Sequence, residues 1–166
     1  SQDDYPFNSD HSALHHVLSE GWMWQLRFNN GITSAGFVLD ERHADRDWQS
    51  LQERYPAIQS QFAEAECVAP SGGLRTTGRL QRGWTQCAGA DWALLPHTAG
   101  FIDPLHSTGI AHTLCGIERL VSLLEQHWEK DSRREQLAEY SESLQKERAL
   151  IDRLVACCYP SRFDFD

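Results

Sequence analysis

Lysine is almost missing from this chain: Lys130 and Lys146 are the only two, and even with arginine the basic side chains number 15 against 24 acidic ones. The resulting net charge of −9 argues against nucleic acid or an anionic membrane as partner, because both need clustered Lys and Arg opposite phosphate. No apolar run approaches the roughly 18 residues of a membrane span, and SQDDYPFNSD at the start lacks the basic and apolar regions of a secretory leader. The five cysteines contain no C-x-x-C pair, and adjacent Cys157 and Cys158 are poorly placed for a bridge, so the expected setting is a reducing cytoplasm. No G-x-G-x-x-G follows a strand-like run, so the usual pyrophosphate-binding device of a dinucleotide fold is not carried by these residues. Asp10, His11, His15 and His16 offer too few ligands at no distinctive spacing, and read as hydrogen-bonding groups, with no metal expected.

What is present is the apolar content of a globular domain: 40% hydrophobic residues, with six Trp and seven Phe among 166. Residues 1 to 20 read as a loop with one helical turn around Ala13. Trp22 to Phe28 and Ile32 to Leu39 are β-prone runs joined by Asn29-Asn30-Gly31, whose Asn-Gly pair favours the positive φ angles of a tight hairpin turn. Helical stretches follow at Trp48 to Tyr55 and Ile58 to Ala65, broken by Pro56. Residues 66 to 95 predict several short strands separated by glycines, the last of them Trp92 to Leu95.

From Thr108 the pattern is helical. Ile110, Leu114, Ile117, Val121 and Leu124 recur every three or four residues and define the apolar face of a helix ending near Trp128. Ser132 with Glu135 reads as a capping box opening a second helix, with Leu137, Tyr140, Leu144, Ile151, Leu154 and Val155 along one side and Pro160 ending it.

The chemistry concentrates where strand meets helix, in LLPHTAGFIDPLHSTGIAHTL. Ser107 or Thr108 can cap the helix, Gly109 lets a ligand approach the backbone, and the first-turn N–H groups with the positive dipole end favour an anionic or electron-rich ligand. Asp103 fits either a turn-stabilising role or a ligand contact. His112 falls in the first turns of the helix, near enough to face the same ligand or simply to pack. Arg75, Arg79 and Arg82 form a loose basic cluster that fits an acidic or carrier-bound substrate, or ordinary surface pairing.

The segment AGFIDPLHSTGI, Ala99 to Ile110, resembles the second FAD-contacting motif of flavin-dependent halogenases and their relatives among aromatic hydroxylases and prenyl reductases. Upstream, Gly21-Trp22-Met23-Trp24-Gln25-Leu26 is similar to the Gly-Trp-x-Trp-x-Ile-Pro signature of the halogenase branch, with Arg27 in the place of proline. The two motifs occur in the family's order.

The resemblance implies an α+β fragment of an α/β FAD-binding flavoprotein: an antiparallel substrate sheet, then a cofactor-domain strand and two long helices. Residues 1–90 would be part of the substrate sheet, 91–130 the C-terminal part of the FAD-binding domain and 131–166 the start of a helical region. FAD is the implied cofactor, with His97, Gly100, Asp103, Pro104, Thr108, Gly109 and Ile110 around it. Thr108 and Gly109 would also border the halide site. His106 and Ser107 stand where the reaction would be assisted, and Trp22 and Trp24 would wall the passage between flavin and substrate.

Two departures stand out. Pro96-His97 replaces the Gly-Asp that usually precedes AGF, and His106 replaces the glutamate that tryptophan-specific halogenases place before Ser-Thr-Gly. The halogenase lysine belongs to an upstream region, since neither lysine here lies near the motifs. The implied partners are a small organic substrate, free or carrier-bound, and a flavin reductase. A hydride-transferring reductase and a non-catalytic module remain alternatives.

Overall fold

The protein is described here by a computed structural model covering residues 11–160. It divides into two compact units, 1–74 and 75–166.

The first unit is a three-stranded antiparallel meander, β1 (Ala13–Leu18), β2 (Gly21–Arg27) and β3 (Thr33–Leu39), with β2 central. The expected hairpin is β2–β3. Its turn differs in kind, because Gly31 alone takes a positive φ of 83°. Phe28 N–H donates to Ile32 O at 2.9 Å and Gly31 N–H to Phe28 O at 3.1 Å, which builds a longer loop than a two-residue turn.

β1 corrects the expectation of a loop with a helical turn around Ala13. Its residues pair with β2 throughout, from Ala13↔Leu26 to Leu18↔Gly21. Its two histidines obscure the apolar alternation, yet the strand completes the ladder of β2. On one sheet face Leu18 and Met23 are buried with Ile58, against Phe37, Trp48, Tyr55 and Phe62. The covering helices are α1 (Trp48–Arg54) and α2 (Pro56–Phe62), split as expected at Pro56, which opens α2. Asp47 caps α1 through a reciprocal pair of bonds with Ser50.

The second unit holds β4 (Arg82–Gly83), α3 (Pro96–Ala99), β5 (Gly100–Phe101), α4 (Thr108–His127) and α5 (Arg133–Cys158). The several strands expected over 66–95 reduce to β4, paired antiparallel with β5, and a lone bridge between Ala88 and Ala93. Trp92 to Leu95 is not a strand. The reason lies in α5, whose polar side chains take backbone bonds that a neighbouring strand would otherwise satisfy. Ser141 Oγ accepts from Cys87 N–H at 2.9 Å, Tyr140 donates to Leu94 O at 3.0 Å and Arg148 donates to Trp84 O at 3.0 Å. Gln145 donates to Thr85 O.

Both long helices span the expected residues, but α4 turns a different side inward. Ile110, Leu114 and Val121 are 78%, 61% and 47% exposed. Gly116 is buried instead, and Leu120 and Leu123 pack against Cys87, Ala88, Ala99, Leu137, Tyr140 and Leu144. Gly116 selects this side, because a Cβ there would lie 2.3 Å from Pro96 Cγ, and only a glycine lets α3 cross so closely. The expected capping box on α5 does not form: Ser132 makes no cap bond, and its Oγ pairs with His127 Nδ1 at 2.9 Å. The predicted stripe on α5 is buried at Leu137, Tyr140, Leu144 and Val155, whereas Leu154 is exposed.

Candidate functional site

The loop between β5 and α4 is shaped by its own side chains. Asp103 Oδ1 accepts from Leu105 N–H at 2.8 Å, the turn-forming role of an Asx residue, while Oδ2 accepts from the Tyr159 hydroxyl at 2.5 Å. The end of α5 therefore anchors the loop. His106 Nε2 lies 3.5 Å from Cys158 Sγ, a second tether between the same two segments.

Ser107 takes the N-cap position of α4 in a left-handed conformation, φ 51° and ψ 27°, with no side-chain cap bond. The expectation that Ser107 or Thr108 caps the helix is thus not met at Ser107. A non-glycine residue held at positive φ stores strain, commonly at a ligand-binding segment. A left-handed residue followed by right-handed ones also turns successive N–H groups toward one concavity. No serine hydroxyl occupies it.

Behind this helix start is a small cavity of about 40 Å³, lined by His97, Gly100, Phe101, Asp103, Thr108, Gly109, His112 and Arg148 among others. That volume suits a few waters, so a cofactor ring would lie across the mouth. His97 is placed by α3. Its ring meets Phe101 edge-on with centroids 5.3 Å apart, and its Cδ2 would be 3.5 Å from a Cβ added at Gly109. Such a distance is ordinary contact, so protein packing does not require glycine at 109. The open backbone there is a cradle that a side chain would fill, and it fits a flat cofactor approaching closely.

Gly100 has a different explanation. A Cβ there would lie 2.6 Å from Arg148 Cδ and 3.2 Å from Arg82 O, so its missing side chain makes room for Arg148. Arg82 in turn lies over the Phe101 ring at 5.4 Å, an internal partner for one member of the basic cluster.

The structure thus gathers His97, Gly100, Asp103, Thr108 and Gly109 around one cavity. Pro104, His106, Ser107 and Ile110 are not among its lining residues, and Ile110 points outward at 78% exposure. Arg148 and Glu147 escaped the sequence reading because only the fold of α5 brings them here. Glu147 Oε2 is 2.7 Å from His112 Nε2 and accepts from Arg119 Nη2 at 2.9 Å, with Arg119 Nη1 on its other oxygen. The guanidinium holds the Glu147 carboxyl below its ordinary range, helped by His112 and opposed by partial burial.

In the first unit, Trp22 and Trp24 share a sheet face, their rings edge-on at 6.3 Å. Trp22 is 1% exposed and carries the His15 ring against it at 5.0 Å. Trp24 donates to Ser34 Oγ at 3.3 Å and covers Gly36, where a Cβ would lie 2.2 Å from its ring. His16 bonds Gln25 at 3.0 Å. His15 and His16 serve these contacts, and no cluster of three or more His, Cys, Asp or Glu placed to hold a metal occurs among the described residues; Asp10 lies outside them. Among the described residues no helix is long and apolar enough to cross a membrane.

An uncapped helix start, a strained serine and an open glycine mark the start of α4 in the second unit, and the paired tryptophans lie on β2 of the first. The chain belongs to the tryptophan halogenase family, whose model it matches over residues 12–164. It is 33% identical over 169 residues to monodechloroaminopyrrolnitrin halogenase PrnC of Pseudomonas fluorescens, covering 92% of this chain and 29% of that protein. Tetracycline 7-halogenase of Kitasatospora aureofaciens is 36% identical over 122 residues, covering 65% of this chain and 21% of that one. Crystal structures of halogenase PltM, one in complex with phloroglucinol and FAD, superpose with a TM-score of 0.76 at 28% identity, covering 96% of this chain and 34% of theirs. The chain spans about a third of the length of such relatives.

Proposed function

We propose that the full-length protein carrying this chain is an FAD-dependent halogenase, using dioxygen and halide to modify an electron-rich small organic substrate. The observation that carries this reading is the start of α4: Ser107 left-handed and uncapped, and Gly109 open where packing would admit a side chain. Gly100 to Pro104 would wrap the flavin with His97 beside them, the Thr108 and Gly109 amides would face the isoalloxazine ring, and the helix dipole favours the reduced, anionic cofactor by about 0.3–1 kcal/mol, up to about 2 when partly buried. Halide would border the Thr108 and Gly109 amides.

FAD, when bound, supplies the oxygen activation; the chain's residues bind, orient and exclude water. Trp22 and Trp24 would wall the passage to the substrate, and a flavin reductase in the same cytoplasm would deliver electrons. His106 and Ser107 would act at the edge of the site, with the His106 imidazole as the acid–base group. Residues 1–90 would serve the substrate, 91–130 the cofactor and 131–166 the adjoining helical region.

The test is the full-length protein purified and supplied with FAD, a flavin reductase and bromide. The reading expects a flavin absorbance band that stays with the protein and a bromide-dependent mass gain on a phenolic or pyrrolic substrate. A bound flavin without halide incorporation would favour the hydroxylase or reductase branch. A protein that binds no flavin would be a non-catalytic module.

A further inference from the structure

We propose that His112 is a proton-accepting residue at the cofactor cavity, taking up one proton at Nδ1 when the cofactor is reduced, with Glu147 and Arg119 as its positioning residues. The proposal rests on the FAD reading above and extends it to a residue that the motif does not include.

His112 lines the same cavity as Thr108 and Gly109. It stands four residues after Thr108 on α4, a rise of about 6 Å along the same helix face. Its side chain is 19% exposed, and Nε2 lies 2.7 Å from Glu147 Oε2. A carboxylate can only accept, so neutral His112 carries its hydrogen on Nε2 and keeps the lone pair on Nδ1. No described group bonds that Nδ1. The carboxylate is fixed by the Arg119 fork, which engages both of its oxygens.

A network that merely ties α4 to α5 would be complete with Arg119 and Glu147 alone. His112 adds a ring of defined tautomer facing a cavity with room for a few waters, the arrangement in which an anchored imidazole exchanges protons. The other histidines near the site lack it: His97 meets Phe101 edge-on, and His106 meets Cys158. The charged or titratable groups around His112 are Arg119 on α4, Glu147 and Arg148 on α5, His97 on α3, Asp103 in the loop before α4 and the buried Cys87 thiol. An anionic reduced cofactor held across the cavity mouth would be opposed by the imidazolium that His112 forms on binding a solvent proton at Nδ1, and that proton would return to solvent once the charge is withdrawn.

The experiment compares the pH dependence of the bound-flavin midpoint potential in the full-length protein and in His112→Gln, whose amide can still donate to Glu147. One additional proton per two electrons changes the reduction equilibrium tenfold per pH unit, about 30 mV. The expected result is a steeper slope in the parent protein than in H112Q, by about that amount. Equal slopes with flavin bound in both would overturn the proposal, whereas a parent protein that binds no flavin would overturn the FAD reading instead.

A second measurement holds if H112Q does not fold. In the full-length protein with ¹⁵N-labelled histidine and no cofactor, nitrogen shifts should report the Nε2–H tautomer of neutral His112, with the lone pair on Nδ1. A Nδ1–H tautomer would sink the proposal independently of any flavin.

Discussion

Single side chains in this protein hold positions that sequence pattern does not advertise. Glu20 is 3% exposed, yet its carboxyl is held below its ordinary range: burial pushes it up, and the Tyr55 hydroxyl, a backbone N–H and Arg54 together pull it down further. The Tyr55 hydroxyl donates at 2.5 Å and Arg54 Nε is 2.9 Å away. Removing that hydroxyl in Tyr55→Phe leaves the buried carboxylate short of a donor, and urea unfolding should register a loss of about 1–3 kcal/mol. Gly36 gives a steric counterpart. A methyl there collides with Trp24, so Gly36→Ala should cost about 1–3 kcal/mol and shift the tryptophan fluorescence as the indole is displaced. An unchanged emission spectrum in a folded G36A protein would mean that Trp24 does not rest on the glycine.

At the scale of elements, the legible parts are those whose signal is local. The β2–β3 hairpin, the break at Pro56 and the extents of α4 and α5 follow from periodicity and turn chemistry within a few residues. β1 does not, because His15 and His16 interrupt the apolar alternation and its pairing comes from β2. The stretch 66–95 was misleading because glycine-separated β-prone residues look like strands whether the partner is a strand or the polar side chains of α5. The candidate site divides the same way. Its loop and helix start lie in one continuous motif, whereas Glu147 and Arg148 reach it only through the α4–α5 packing. That packing carries a pH signature. Glu147 is depressed in the folded protein from an ordinary value of 4.5, so its contribution is fully present above that value and is lost as the pH falls through the lower folded one. Melting temperature should therefore drop on acidification below about pH 4.5, and by less in Glu147→Gln. A parallel fall in both proteins would assign the acid sensitivity to other carboxylates.

For the molecule as a whole, the decisive feature is the outward row of Ile110, Leu114, Ile117 and Val121, each at least 38% exposed. Contiguous apolar surface of this kind promotes association in water. Light scattering over a concentration series should show the 166-residue chain associating, and Leu114→Glu combined with Val121→Lys should reduce the effect while changing unfolding free energy by no more than about 0.5 kcal/mol per site. Scattering that is identical in the two proteins would mean that the row is not the sticky surface.

The same row has a consequence for reading variation in this protein. Because these side chains bear so little of the fold's stability, a tolerance screen scored on folding of the isolated chain would class Ile110, Leu114 and Val121 as free to vary, and Gly116, on the opposite side of the helix, as nearly immutable. Scored on the activity of a full-length protein, the two sides of α4 need not rank in that order, and the difference between the screens would measure how much of this helix is kept for purposes other than its own folding.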